Sequence, residues 1–272
     1  MLIRLADAPS LVIGAYRLSL ASLILAPLSL ARAGHELRAL GVRDLLLAGL
    51  SGLFLALHFA FWITSLRYTS VASSVVLVTI NPIFVGIAAH FLTGERLNRQ
   101  TTLGIVIAVI GAAVIGYGDW GIGWRAFGGD VLALLGALAV AGYYLVGRSV
   151  RPRVSLLAYA SLAYLAAALA LLALAIASGD SLQGYSGQTY LMLILLALVP
   201  QLLGHTSLNW ALRYVSATLV SIAVLGEPVG ATILAYLVLG EVPTPPEIGG
   251  GALILAGVYI AFRARATPRS AG

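Results

Sequence analysis

Nine apolar runs, each near the ~20 residues that a helix needs to cross a bilayer, follow one another along this 272-residue chain. They fall at roughly 9–31, 45–66, 70–92, 101–118, 129–147, 154–177, 189–211, 216–239 and 247–262. Hydrocarbon offers no partner to a backbone N–H or C=O, so spans there are α-helices or the strands of a closed barrel. Barrel strands are short and alternate apolar with polar residues; these runs are long and lack that alternation. The chain is therefore predicted to be an all-α integral membrane protein. Composition agrees: 60% of residues are hydrophobic and 10% charged, where a soluble domain carries about 25% charge. The longest polar connections are expected at 31–44 and 178–190.

Several function classes drop out. The chain has no cysteine, and His35, His58, His90 and His205 form no metal-ligand spacing, so no metal site is assigned. No catalytic residue and no cofactor is assigned either, and the absence of a P-loop motif removes ATP as the direct energy source. Net charge is +6 and all 16 basic residues are arginine. They lie singly or in threes in short loops, a pattern of membrane orientation rather than of nucleic-acid binding. One set of loops holds Arg32, Arg38, Arg43, Arg96, Arg99, Arg148, Arg151, Arg153, Arg213, Arg263, Arg265 and Arg269; the other holds Arg67, Arg125 and Arg4. The positive-inside rule then places the C-terminus in the cytoplasm. Residues 1–10 have no apolar region followed by a small-residue cleavage site, so no cleavable signal is expected.

The chain repeats itself. Shifted by 146 positions, Leu66-Arg67-Tyr68 falls on Leu212-Arg213-Tyr214, Ser70 on Ser216 and Pro82 on Pro228. In the same register Gly94-Glu95 falls on Gly240-Glu241, Gly104 on Gly250 and Gly111 on Gly257. Upstream, a shift of 143 sets Pro9 on Pro152 and Tyr16 on Tyr159. The second copy opens with the run at 129–147; its counterpart would lie mostly before Met1, and Met1-Leu2-Ile3 matches that run's tail, Tyr144-Leu145-Val146. The first repeat, 1–118, thus holds four helices, and the second, 129–272, holds five. A five-helix unit is odd, so its second copy is inverted in the membrane. The matched loops agree, Arg67 belonging to one side and Arg213 to the other.

A five-helix repeat ending in NPIFVGIAAHFLTGE (81–95) and GEPVGATILAYLVLGE (226–241), with AYRLSLASLIL (15–25) early in the first copy, resembles the EamA-type transporters of the drug/metabolite transporter superfamily. The likeness covers nearly the whole chain. It implies ten helices in two inverted halves around a central cavity, with this chain lacking the first helix and so holding nine. It also implies transport of small metabolites, often export of amino acids, across the bacterial cytoplasmic (inner) membrane.

Candidate site residues follow from what a membrane helix does not hold without reason. Glu227 is the one charge in the run 216–239. A carboxylate there needs water, a partner or a proton to compensate it, so it contacts substrate, carries a coupling proton or braces its helix. Pro82 and Pro228 interrupt matched helices, and paired interruptions in inverted repeats point to a transporter's site. Asn81 is the repeat partner of Glu227. Arg17 lies about eight residues, roughly 12 Å, into its run; it reaches outward to the interface, binds a substrate carboxylate, or pairs with Glu227. His58, Trp62, His205, Asn209, Trp210, Tyr143 and Tyr16 sit within runs, where such groups either line a cavity for a small zwitterionic or aromatic substrate or join helices. Glu95 and Glu241 end their helices beside glycine and read as solvated. GYSG at 184–187 has the form of an intramembrane protease motif, but His205 lies 19 residues from Ser186 along one segment, roughly 28 Å if helical.

The leading expectation is a secondary transporter of small organic metabolites, working by alternating access, with a small-molecule substrate and the lipid bilayer as partners. A broad-specificity drug exporter of the same fold and a non-transporting membrane sensor or scaffold are the alternatives. Protons are the candidate coupling ion. Oligomeric state is left open, a monomer being sufficient. The four-plus-five imbalance leads us to expect an in-frame upstream segment encoding a further apolar helix of about 20 residues; stop codons just before Met1 would remove that expectation.

Overall fold

The computed structural model describes residues 2–69, 71–93, 98–116, 123–227, 229–230, 233, 237 and 245–266. Helices α1 (Leu2–Leu5), α2 (Ser10–Ala39), α3 (Val42–Ser65), α4 (Val71–Thr79), α5 (Asn81–Thr93) and α6 (Arg99–Gly116) come first. Then follow α7 (Gly123–Val150), α8 (Leu156–Ala177) and α9 (Gly187–Leu196), a π-helical segment Ala197–His205, α10 (Thr206–Ala211), α11 (Ala217–Val224) and α12 (Pro245–Ala266). No strand occurs among the described residues. Six helical stretches among them are long and apolar enough to cross a membrane: Ser10–Ala39, Val42–Ser65, Ser74–Leu92, Trp124–Val150, Leu156–Ala177 and Gly187–Ala211. Arg99–Gly111 and Ile248–Ala261 are shorter apolar helices. The run 216–239 is described chiefly at its start, in α11.

Two boundaries differ from expectation. The connection expected at 31–44 is mostly helix, because α2 runs on to Ala39. ARAGHELRA is made largely of good helix formers, and the departure is confined to a kink at Ala33 (φ −128°, ψ 15°). Helix α7 begins at Gly123, six residues before the expected 129.

The contacts divide the chain into two compact units, Met1–Thr64 with Leu138–Ser216, and Ser65–Ala137 with Ala217–Gly272. Each therefore draws on both halves of the sequence. In the first unit α2 packs chiefly on α8. Helix α2 buries Ser10, Ile13, Gly14, Arg17, Leu18, Ala21 and Leu25, one stripe at three- and four-residue spacing. Helix α8 answers with Ala160, Ala163, Tyr164, Ala167, Leu171 and Ala175. Lipid tails are as apolar as leucine, so helices in a membrane associate through close packing of small residues rather than by escape from water.

The second unit contains two helix interruptions, at positions that the 146-residue shift brings into register. Helix α4 stops at Thr79 and α5 restarts at Asn81, with Pro82 second in it. Proline gives no N–H, and the Val78 carbonyl it would have bonded accepts from Asn81 Nδ2 at 3.1 Å instead; beside the break, Thr79 Oγ1 donates to Val76 O at 2.9 Å. Helix α11 likewise gives way to a turn at Leu225–Gly226, after which Glu227 is helical again. Pro228, Glu95 and Glu241 lie outside the described residues.

Helices α6 and α12 make the closest backbone approach in this unit. A Cβ added at Gly104 would stand 2.5 Å from the Gly257 carbonyl oxygen, and one at Gly257 would stand 2.4 Å from that of Gly104. Gly111 meets the Gly250 carbonyl oxygen in the same way, at 2.5 Å. Residue numbers rise along one helix as they fall along the other, so the two run antiparallel. Replacing Gly257 by alanine is expected to push the helices apart and lower stability by about 1–3 kcal/mol, the range for overpacking. Gly249, on the same helix, has nothing within 4 Å of an added Cβ, and Gly249→Ala should be neutral or slightly stabilising. Thermal unfolding of both purified variants checks this.

Candidate functional site

Burial of Arg17 organises the polar residues of the first unit. Its position on the packed stripe of α2 leaves it 2% exposed, and it does not turn outward. Nε donates to Gln201 Oε1 at 2.8 Å. The guanidinium lies over the Phe59 ring, 4.2 Å from the centroid, where the negative face of the ring attracts the cation. Phe59 is fully buried on α3. One residue before it, His58 stacks on Trp62 with ring centroids 5.6 Å apart and planes at 17°, as residues one turn apart on a helix can.

Gln201 belongs to the π-helical segment, which contains Pro200. A π-helix carries more residues per turn than an α-helix, so side chains beyond it are rotated relative to an unbroken helix. That segment ends at His205, whose ring meets Phe59 edge-on at 5.4 Å and lies 6.3 Å from both His58 and Tyr143. One turn later, Asn209 is fully buried. Tyr143 donates its hydroxyl to Asn209 Oδ1 at 2.7 Å, and Asn209 Nδ2 donates to the Tyr164 hydroxyl at 3.2 Å. Tyr164 and Thr206 share a hydrogen bond at 3.1 Å, and Thr206 Oγ1 donates to the Gln201 carbonyl at 3.3 Å. The chain of hydrogen bonds thus returns to the segment that holds Arg17.

Six sequence-selected residues therefore gather in one unit: Arg17, His58, Trp62, Tyr143, His205 and Asn209. Tyr16 is turned away, half-buried, its hydroxyl donating to Leu182 O at 2.7 Å and its ring beside Tyr190. Trp210 is exposed and packs on Tyr214, ring centroids 5.0 Å apart. Asn81 and Glu227 belong to the second unit; Asn81 is buried and Glu227 is exposed. Ser186 caps α9, accepting from Thr189 N at 3.2 Å. Among the described residues no group of three His, Asp or Glu gathers as a metal site.

Sequence reading missed Gln201, Phe59, Tyr164 and Thr206. A signal existed for Gln201: it follows Pro200 inside an apolar run, the same pairing of a polar side chain with a helix breaker that singled out Glu227. Phe59 and Tyr164 carry no such mark, since a ring in an apolar helix reads as packing.

At one end of the same unit, arginines bind the carbonyls that finish α10. Arg148 donates to Leu212 O at 2.9 Å and Arg213 O at 3.0 Å. Arg151, 1% exposed, donates to Asn209 O at 2.8 Å and to Val154 O. Burial, and then the Arg213 charge, pull its ionisation below the ordinary arginine range. Arg153 pairs with Asp44 at 2.7 Å, and Glu36 accepts from Ser155 N at 2.6 Å.

The sequence profile of the EamA-like transporter family matches residues 1–117 and 127–263. The chain is similar to a probable amino-acid metabolite efflux pump of Salmonella typhimurium, at 29% identity over 79% of this chain and 76% of that one. It is 26% identical to the pseudopaline exporter of Pseudomonas aeruginosa, over 92% and 85% of the two chains. An uncharacterized transporter of Archaeoglobus fulgidus is 28% identical over 84% and 80%. A crystal structure of another protein has the same fold, with a TM-score of 0.79 over 96% of this chain and 90% of that one at 21% identity.

Removing the Asn209 amide strands the Tyr143 hydroxyl in a buried site, so Asn209→Ala is expected to lower stability by about 1–3 kcal/mol. Trp210→Ala, next to it but exposed, should change stability by less than about 0.5 kcal/mol. Melting curves of the two variants in detergent make the comparison.

Proposed function

The chain belongs to the EamA-like transporter family, and from that premise we propose that it exports amino acids or related small zwitterionic metabolites across a bacterial inner membrane. The observation that carries this reading is the Arg17 guanidinium, seated on Phe59 and held by Gln201 beside the His58–Trp62 stack. A fixed guanidinium is a carboxylate receptor, and adjacent rings suit an apolar or aromatic side chain. The names of the Salmonella and Pseudomonas relatives favour it further.

Transport proceeds by alternating access between two inverted repeats, 1–118 and 129–272, with nine spans and a cytoplasmic C-terminus. Two features support the inversion. Gly104 corresponds to Gly250 in the repeat and Gly111 to Gly257, yet Gly104 meets Gly257 and Gly111 meets Gly250. A two-fold axis relating the copies would produce that exchange of partners, and an antiparallel pair of equivalent helices is what an axis in the membrane plane calls for. The matched interruptions at Ile80 and at Leu225–Gly226 are the second feature. Arginine counts support the orientation, and a C-terminal fluorescent fusion that matures only in the cytoplasm tests it.

Glu227 is the group we assign to proton coupling or substrate contact. Proteoliposomes loaded with labelled neutral amino acids are expected to release them through the wild type. Arg17→Lys keeps the charge but loses the planar fork, and should cut release by about tenfold or more, equivalent to about 1.4 kcal/mol. Glu227→Gln should cut it similarly and abolish its pH dependence. Movement of a lipophilic cation in place of amino acids would instead indicate a drug exporter, and no flux of either would indicate a sensor or scaffold.

A further inference from the structure

We propose that Gln201 is a substrate-contacting residue whose amide N–H group shares one carboxylate with Arg17, so that this pair selects acids over the corresponding amines. The inference rests on the transport reading above and deepens it, naming the group that is recognised and a residue that recognises it.

Orientation of the Gln201 amide is set by chemistry. Arginine Nε can only donate, so the atom of Gln201 that faces it at 2.8 Å must be the oxygen. The NH2 group is thereby turned the other way. Gln201 is fully buried, and Nε2 makes no hydrogen bond of normal geometry. The Tyr164 hydroxyl interacts with the same side chain while also bonding Asn209 and Thr206, so it is at most a partial, displaceable partner for the amide. Leaving a buried donor unmet is costly, so such a group in a folded protein calls for an explanation.

A second unmet atom lies on the same segment. His205 Nδ1 has no hydrogen-bond partner, and its ring touches Phe59, the ring beneath the Arg17 guanidinium. Both residues belong to the π-helical segment, a geometry that recurs at functional sites because it re-aims side chains within a helix. A guanidinium and a neutral N–H donor on adjoining side chains offer an anion donors from both residues. The same pair repels an ammonium, which brings only donors and a like charge. Phe59, His58 and Trp62 supply the apolar surface for whatever the carboxylate carries.

Gln201→Glu separates a contact from a supporting role. It keeps an oxygen for Arg17 Nε but puts a second oxygen where the N–H group was, adding an anion where the substrate's own would sit. Binding of L-phenylalanine and of phenethylamine, its decarboxylated counterpart, is measured on full-length purified protein. Wild type is expected to prefer phenylalanine, and the variant to lose that preference by about tenfold or more. Gln201→Met, which has similar length but neither donor nor acceptor, serves if the first variant does not fold; it should weaken phenylalanine about tenfold and phenethylamine far less. A folded Gln201→Glu protein with the wild-type preference would show that Gln201 only positions Arg17, overturning the inference and leaving the transport reading intact. A wild type without preference for the acid would overturn the carboxylate reading itself, and this inference with it.

Discussion

Withdrawing a guanidinium from water is the costliest feature of the first unit, and the arrangement around Arg17 follows from it. The side chain cannot lose its charge, so it must be met by a π face, by acceptors, or by both. Phe59 provides the first and the Gln201 amide oxygen the second. Gln201 reaches it from a segment that has left α-helical geometry, and the Tyr143–Asn209–Tyr164–Thr206 chain ties that segment back to α7 and α8. A partly satisfied polar network in a low dielectric is unstable. Two atoms beside that network, Gln201 Nε2 and His205 Nδ1, are left without a hydrogen bond, and that is what makes the cluster a candidate site.

The second unit is governed by distance between backbones. Glycines at the α6–α12 contact leave no room for a methyl group, and close approach of that kind is what lipid-embedded helices rely on in place of the hydrophobic effect. The interruptions before Asn81 and Glu227 work against this, since they free backbone groups. Asn81 answers with its own side chain. One unit thus spends small residues on rigidity, while carrying helix breaks of the kind that permit movement.

Much of the buried polar cluster was readable, for a physical reason. Polar residues are rare in membrane helices and expensive there, so Arg17, His58, Asn209 and His205 announce themselves against a background of leucine and alanine. Phe59 and Tyr164 do not, because aromatic rings cost nothing in an apolar helix until their neighbours are known. Trp210 and Tyr16 show the reverse error. Their side chains are as unusual as those of the cluster, yet helix rotation and the outer ends of α2 and α9 carry them elsewhere. The extension of α2 to Ala39 was missed because charge in ARAGHELRA reads as loop to a hydropathy argument.

By itself the sequence determined the solvent, the element type and the family. Twenty-residue apolar runs admit only helices in lipid, and the order and spacing of the repeat motifs match one transporter family. It also determined which positions carry unusual chemistry. Tertiary structure decided which of those positions meet. A run of apolar residues fixes that a helix forms, but its rotation depends on contacts from other helices, and on a π-helical turn that shifts the faces beyond it. Only with α2, α3 and the segment after α9 in place does Arg17 find Phe59 and Gln201, residues far apart in the chain that no local pattern could have joined.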